Sequence, residues 1–437
     1  MALEDKMKLI ELAVTMAYDA KVNFEDVFSQ VRMWDVIIYN HLLKKRIVIP
    51  PRKESKGSDS IEGAYVKEPI IGFHGWVVSF DLTSLYPMLI QQYNISPETL
   101  LEDSYRHVDI TSLVNKKTSV DMDSDVTMAA NGYLFSKEKK GFIPELMEWM
   151  FNQRKEYKKL QLATEKELEA NKNKLNAGVI KEYTNKISKY KNLQMAKKIA
   201  LNSAYGAMGN SYFRFYDSRL AEGITKSGQL SIRWIENKLN EYLNKLLGNT
   251  DKDYVIASDT DSIYLSLDEL VGRTIIEKDP NTGTREIIQF LDKVCETKIQ
   301  PFIDKSYSDL AKYTNAYRQK MMMKREALAD TGIWTAKKRY ILNVYNNEGV
   351  QYAKPKIKVM GLEMIKSSTP SAIREKMWEA VALMMTGTES EVQQFVADFR
   401  EEFKTLPPEE ISFPRGLNGL RTYSDSVTMY KKGTPIH

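Results

Sequence analysis

Three aspartates stand where divalent cations could be held. Asp81 closes an apolar run, Trp76-Val77-Val78-Ser79-Phe80, while Asp259 and Asp261 flank Thr260 between two further apolar runs. A site for two cations about 3.5–4 Å apart needs carboxylates delivered to one point by separate rigid elements. One acid at a strand end and two at the tip of a tight hairpin meet that need. Taken alone, Asp259 and Asp261 are read more simply as turn acids, since aspartate is favoured in turns. The apolar strands on either side would bury the hairpin, and a plain turn does not explain that.

A second set of residues suits phosphate. Lys198, Asn202 and Tyr205 fall at i, i+4 and i+7, so one helix face carries a cation, an amide and a flat ring. Arg154 and Lys158, at i and i+4 in the preceding helical stretch, add two cations on one face. Convergent cations are what a phosphate clamp needs, because phosphoryl transfer develops charge on the phosphate oxygens. Any one of these lysines alone is read as ordinary helix surface. Directly after Asp81 the chain turns from strand to helix through Leu82-Thr83-Ser84-Leu85-Tyr86. Backbone amides at such a start can bind phosphate oxygens. Tyr86 would then stand beside a bound nucleotide, or else be a half-buried core aromatic.

Composition narrows the partners. The net charge is only +5, but residues 152–198 hold 13 Lys/Arg against 5 Glu and no Asp, a local +8. A basic arm on a near-neutral body fits a polyanion; a solvated helical hairpin with lysine-rich outer faces is the alternative. The single cysteine, Cys295, excludes an internal disulfide and a cysteine-based zinc site. His41, His74, His107 and His437 show no metal-ligand spacing. Any metal would therefore take oxygen ligands, which favours magnesium or manganese. No run of about 18 apolar residues exists to span a membrane, and the first residues lack a secretory signal pattern.

The elements that must position these residues follow from periodicity. Residues 1–45 read as helical, 51–60 as a polar linker, and 76–81 as a strand. Residues 101–140 read as small strands and loops. Two helical segments, from Pro144 to near Ala170 and from Ile180 to near Tyr205, are joined around Asn176-Ala177-Gly178 as an antiparallel hairpin. A helix follows from Ser218 to Leu246, then the acid-tipped β-hairpin at 254–266. Beyond it, 285–315 read as helical, 320–360 as strand-rich and 370–404 as helical. This is an α+β body with an inserted helical subdomain.

Together these segments resemble family B DNA polymerases. Asp81-Leu82-Thr83-Ser84-Leu85-Tyr86-Pro87 resembles motif A, and Lys198 through Gly206 resembles motif B. Ser258-Asp259-Thr260-Asp261-Ser262 resembles motif C, and Lys337-Lys338-Arg339-Tyr340 the family's KKRY element. They stand in the family's order. Asn94-Ile95-Ser96-Pro97-Glu98-Thr99 and Gly361-Leu362-Glu363 are similar to the replicative polymerases of T-even-type bacteriophages. The likeness runs over nearly the whole chain. Met88 departs from it, standing where a small serine is expected.

The resemblance implies a palm, an antiparallel sheet with helices, carrying an inserted antiparallel helical fingers hairpin. Residues 1–60 would be the end of an exonuclease region plus linker, without an Asp-x-Glu exonuclease motif. Residues 61–143 would be the first part of the palm, 144–212 the fingers, 213–415 the second part of the palm, and 416–437 the start of a truncated thumb. Such a chain is a polymerase core, a fragment or one part of a split polymerase.

Roles follow from the same likeness. Asp81, Asp261 and the Leu82 carbonyl would hold two Mg2+, for which Mn2+ can substitute, with Asp259 tuning the site. Glu326 would be an additional acid nearby. Ser84, Leu85, Tyr86, Arg154, Lys158, Lys198 and Asn202 would bind the incoming nucleotide, Tyr86 excluding a 2′-hydroxyl. Tyr205 would lie near the nascent base pair, and Lys338, Arg339 and Lys366 would hold the DNA. Primer–template DNA and dNTPs are the implied partners, with a separate thumb polypeptide and a sliding clamp as further candidates and no membrane. The implied location is the cytoplasm of an infected bacterial host. A two-metal nuclease could use the same acids but leaves Lys198, Asn202, Tyr205 and Tyr86 unexplained. A non-catalytic nucleic-acid-binding protein leaves the acids unexplained.

Overall fold

The computed structural model describes residues 4, 8–52, 61–120, 122–171 and 175–413. Most of the linker expected at 51–60 and all of the thumb segment expected at 416–437 lie outside them.

The chain is built on a six-stranded antiparallel sheet. Its strands are β1 (Gly72–Leu82), β5 (Val255–Asp259), β6 (Ser262–Ser266), β7 (Met323–Ala336), β8 (Arg339–Asn347) and β9 (Val350–Met360). The order across the sheet is β5-β6-β1-β7-β8-β9. The central strand is the one that ends in Asp81. Its Val77, Val78, Phe80 and Leu82 are all buried, as a strand covered on both faces requires. A smaller sheet, in the order β2-β4-β3, comprises β2 (Leu100–Tyr105), β3 (Val126–Met128) and β4 (Tyr133–Ser136).

The sheet curls strongly. Strands β6 and β8 are not neighbours, yet the hydroxyls of Tyr264 and Tyr340 lie 2.7 Å apart. The β7–β9 meander therefore folds over one face, and Trp334 stacks on Tyr340 there.

Helices cover the rest. Besides α1 (Leu9–Ala20), α2 (Gln30–Lys44), α3 (Leu85–Gln92) and α4 (Ile110–Val114), two long helices, α5 (Phe142–Asn171) and α6 (Ala177–Met208), pack against each other as an antiparallel hairpin. The break lies earlier than the sequence suggests. Asn176 is the N-cap, its side chain accepting from the Val179 N–H, so Ala177 and Gly178 are already helical. Burial is confined to the root of the hairpin, 143–151 on α5 and 192–208 on α6, and its outer half faces solvent. Both N-terminal helices pack against α6; the Trp34 indole N–H of α2 reaches the Ala200 carbonyl at 3.1 Å.

Under the sheet run α7 (Ser218–Leu247) and, after the short α8 (Asp268–Val271), α9 (Thr284–Val294) and α10 (Gln300–Tyr313). The apolar stripe of α7, including Leu230, Trp234, Ile235 and Leu239, is wholly buried. At the far end α11 (Ser371–Thr386), α12 (Glu389–Phe403) and α13 (Pro408–Ile411) form a small satellite. Among the described residues no helix is long and apolar enough to cross a membrane.

Candidate functional site

The sheet's register brings the acids together. Asp81 faces Ser262 across β6 and Lys324 across β7. One residue on, the Leu82 N–H donates to the Asp261 carbonyl at 2.8 Å, and the Thr83 N–H to the Met322 carbonyl at 2.9 Å. The end of β1 is thus stitched on both sides. The β5–β6 hairpin turns through Thr260 and Asp261, and Thr260 adopts a left-handed φ of 55°. That conformation costs energy for a β-branched residue.

Neither Asp81 nor Asp261 makes an ion pair among the described residues. Burial above all, with the charges of Asp261 and Glu326, pushes the Asp81 carboxyl up to about 7. Burial likewise leads at Asp261, and with the charges of Asp259 and Glu326 it lifts that carboxyl to about 6 against its own backbone N–H. Two desolvated, uncompensated carboxylates fit a divalent cation, which would supply the missing countercharge. Among the described residues no three acidic, histidine or cysteine side chains are gathered closely enough to hold an ion. The remaining ligands would come from the backbone, water or substrate.

The other two acids are occupied. Asp259 pairs with Lys338 at 3.1 Å. Glu326 pairs with Lys358 at 2.8 Å and accepts from the Ser79 hydroxyl at 3.3 Å. The Ser79 oxygen in turn accepts from the Ala327 N–H at 3.0 Å. Sequence reasoning missed Lys358 and Ser79. The alternation Lys354, Lys356, Lys358 along one strand face was the available signal for the lysine.

An open cleft of about 810 Å3 runs from Asp81 and Glu326 toward the hairpin, and Glu348, Lys324 and Lys158 also line it. Lys158 of α5 is exposed there, whereas Arg154, one turn nearer the root, is half-buried with an Nε that has no hydrogen-bond partner. Lys198 and Asn202 are exposed on α6, and Tyr205 is half-buried below them. The neighbouring Lys197 points elsewhere. It is 1% exposed, 2.8 Å from Asp19 of α1 and 4.2 Å from the centre of the Trp149 ring. A more enclosed cavity of about 440 Å3 beside it, between α1, α2 and the root of α5, holds none of the expected site residues.

Beside the acids, Ser84 takes a left-handed φ of 51° as α3 begins. Leu85 is buried, so its side chain belongs to the core and only its backbone remains for a ligand. Met88, one turn further along α3, is buried in the core as well. The Tyr86 ring lies 4.7 Å from that of Tyr205. Gly228 of α7 leaves room beneath it; a Cβ there would meet the Tyr86 ring at 3.4 Å. Burial, with Tyr205 and the Asp261 charge, pushes the Tyr86 hydroxyl up to about 12. Of the cations expected on DNA, Lys338 stands at the β7–β8 turn on Asp259, while Arg339 and Lys366 share Glu363.

Residues 28–277 match DNA polymerase family B. The chain is 35% identical over 96% of its length to a DNA-directed DNA polymerase of Escherichia phage RB69, and 34% identical over 96% to that of Enterobacteria phage T4. A DNA polymerase of Pyrococcus glycovorans is 25% identical over 92% of the chain. The chain spans about half the length of these relatives: 51% of each phage protein and 45% of the archaeal one.

Proposed function

Since this chain belongs to DNA polymerase family B, we propose that it is the palm and fingers core of a template-directed DNA polymerase. In this reading residues 61–143 and 213–415 are the palm, 144–212 the fingers, 1–60 the end of an exonuclease region with its linker, and 416–437 the start of a thumb. The observation that carries it is the pair of unpaired, desolvated carboxylates, Asp81 and Asp261, whose backbones meet through the Leu82–Asp261 hydrogen bond, with Asp81 lining a cleft that Lys158 also lines.

The reaction forms a bond from the primer 3′-oxygen to the α-phosphorus of a dNTP. The bond from that phosphorus to its bridging oxygen breaks, and pyrophosphate leaves. Asp81, Asp261 and the Leu82 carbonyl would hold two Mg2+, or Mn2+ in their place. These ions supply charge neutralisation for the attacking and departing oxygens. Arg154, Lys158, Lys198 and Asn202 grip the triphosphate, and cations fixed beforehand cost no reorganisation as charge develops. The backbone at Ser84 and Leu85 offers amides to the phosphates. Tyr86, wedged between Tyr205 and Gly228, stands where a ring can bar a 2′-hydroxyl. Tyr205 sits beside it for the nascent pair. Lys338, Arg339 and Lys366 exchange their carboxylate partners for the duplex backbone.

Primer–template DNA and dNTPs are the partners; a separate thumb polypeptide and a sliding clamp are further partners this reading adds. With phage relatives as the guide, the cytoplasm of an infected bacterium is the place of action. A filter-binding titration tests the reading. Affinity for primer–template should rise when Mg2+ and the matching dNTP are added together, and not with a mismatched dNTP. A nuclease would show no such dependence on base identity.

A further inference from the structure

Lys358 lies on β9, in register with Leu342 of β8, two strands removed from Glu326 on β7. The curl of the meander nonetheless brings its Nζ within 2.8 Å of the Glu326 Oε1. The other Glu326 oxygen accepts from the Ser79 hydroxyl at 3.3 Å, and Ser79 is buried and held in turn by the Ala327 N–H. Glu326 is therefore clamped at both oxygens. It is near enough for its charge to act on Asp81 and on Asp261. Yet among the described residues the three acids do not close into an ion-binding group. A third free carboxylate beside two others would be expected to turn toward any cation they held, and the Lys358 and Ser79 contacts restrain this one.

We propose that Lys358 is a positioning residue that holds Glu326 in reserve. By pairing with it, the lysine leaves only Asp81 and Asp261 as anionic ligands in the nucleotide-free protein, and the site takes up cations weakly until a triphosphate brings its own oxygens. Lys358 touches no reacting atom in this scheme and acts through Glu326. Partial neutralisation also limits the like-charge repulsion that three adjacent carboxylates would suffer when the site is empty. The inference rests on the two-carboxylate cation site of the proposed function.

The test is Mn2+ binding without DNA or nucleotide, read by loss of the free Mn2+ electron paramagnetic resonance signal, on the full chain. Lys358→Met frees Glu326 and should lower the Mn2+ dissociation constant by roughly tenfold, the low end of the scale on which outer partners tune a metal site. Lys358→Arg keeps the pair and should bind as the parent does. The double variant Lys358→Met/Glu326→Gln should lose the gain, because the gain requires the freed carboxylate. Circular dichroism melts show that each variant folds; if Lys358→Met does not, Ser79→Ala releases the other oxygen and should give a smaller gain. Asp261→Asn serves as the reference and should weaken the parent's uptake further, because it removes one of the two anionic ligands. If that reference falls and Lys358→Met nonetheless binds like the parent, the positioning role is overturned while the cation site stands. A gain that survives in the double variant overturns it too, since the lysine would then act by bulk charge alone. If Asp261→Asn leaves uptake unchanged, the cation site itself fails and the inference with it.

Discussion

The Leu82 N–H and the Asp261 carbonyl are joined by a 2.8 Å hydrogen bond across the β1–β6 edge. This bond fixes the spacing of Asp81 and Asp261, because each acid is next to or part of one of its partners. Among the described residues neither carboxylate makes an ion pair that the fold would lose. Asp261→Asn should therefore lower primer extension by about a thousandfold or more while the circular dichroism spectrum stays that of the parent. Asp81→Asn should behave alike. Vigorous extension by either variant would remove these two acids from the chemistry.

The same burial makes a stability prediction. Asp261 is held at about 6 in the folded chain against an ordinary 3.8. Between those values the folded chain keeps a proton that the unfolded chain releases, so stability falls as pH rises through the window. Above pH 6 the folded chain bears the full penalty of a desolvated charge. Asp261→Asn removes that penalty and should melt about 2 °C or more above the parent at pH 8 in chelator. At pH 4, where the folded carboxyl is protonated, the advantage should nearly vanish. An equal offset at both values would mean that charge is not its source.

Much of this site was legible in the sequence. Asp81 could be set at a strand end because it closes the apolar run Trp76-Val77-Val78-Ser79-Phe80, interrupted only by Ser79. The tip at Thr260 followed from the apolar runs on either side. The partners of these acids were not legible. Lys358 meets Glu326 only because the β7–β9 meander curls, and period-two alternation gives a residue's face but not the strand that will fold over it. Lys197 and Lys198 are adjacent and identical in type, yet one is buried against Asp19 and the other lies in solvent. Which of them turned inward depended on α1, whose docking site leaves no mark in the local sequence of α6.

That contrast is testable through Asp19. Removing its charge leaves Lys197 buried with an aromatic face but no anion, and uncompensated buried charges cost about 3 kcal/mol or more. Asp19→Asn should lower the denaturant midpoint accordingly. Lys197→Met in the same background should recover much of the loss, because the methionine needs no counterion. If Asp19→Asn alone is neutral, α1 is not anchored through this pair.

Tyr86 rests its ring against Tyr205, with Gly228 leaving room beneath it. Under the proposed function, Tyr86→Ala should open space for a 2′-hydroxyl and reduce the preference for dNTP over rNTP by about tenfold or more, the scale on which a pocket rejects a small group. The measurement is the ratio of kcat/KM for the two nucleotides. An unchanged ratio would make Tyr86 a packing residue for α6.

Lys198 divides two roles that its exposure alone leaves open. A lysine on the duplex backbone contributes to DNA affinity whether or not nucleotide is present, and its loss reduces the salt slope by about one contact. A lysine on the triphosphate contributes only when dNTP is bound, and most when charge develops on the leaving phosphates. Its position on α6, one turn above Asn202 and two above Tyr205, whose ring touches Tyr86, favours the second. Lys198→Ala should then cut kcat/KM for dNTP by about a hundredfold. The dissociation constant for primer–template, measured without nucleotide, should stay within about twofold, since one of many phosphate contacts at most is lost. Lys158→Ala, whose side chain borders the cleft nearer Asp81, should show a smaller loss of the same kind. If Lys198→Ala instead weakens DNA binding and leaves the dNTP dependence intact, α6 tracks the duplex and the clamp must be sought on α5 alone.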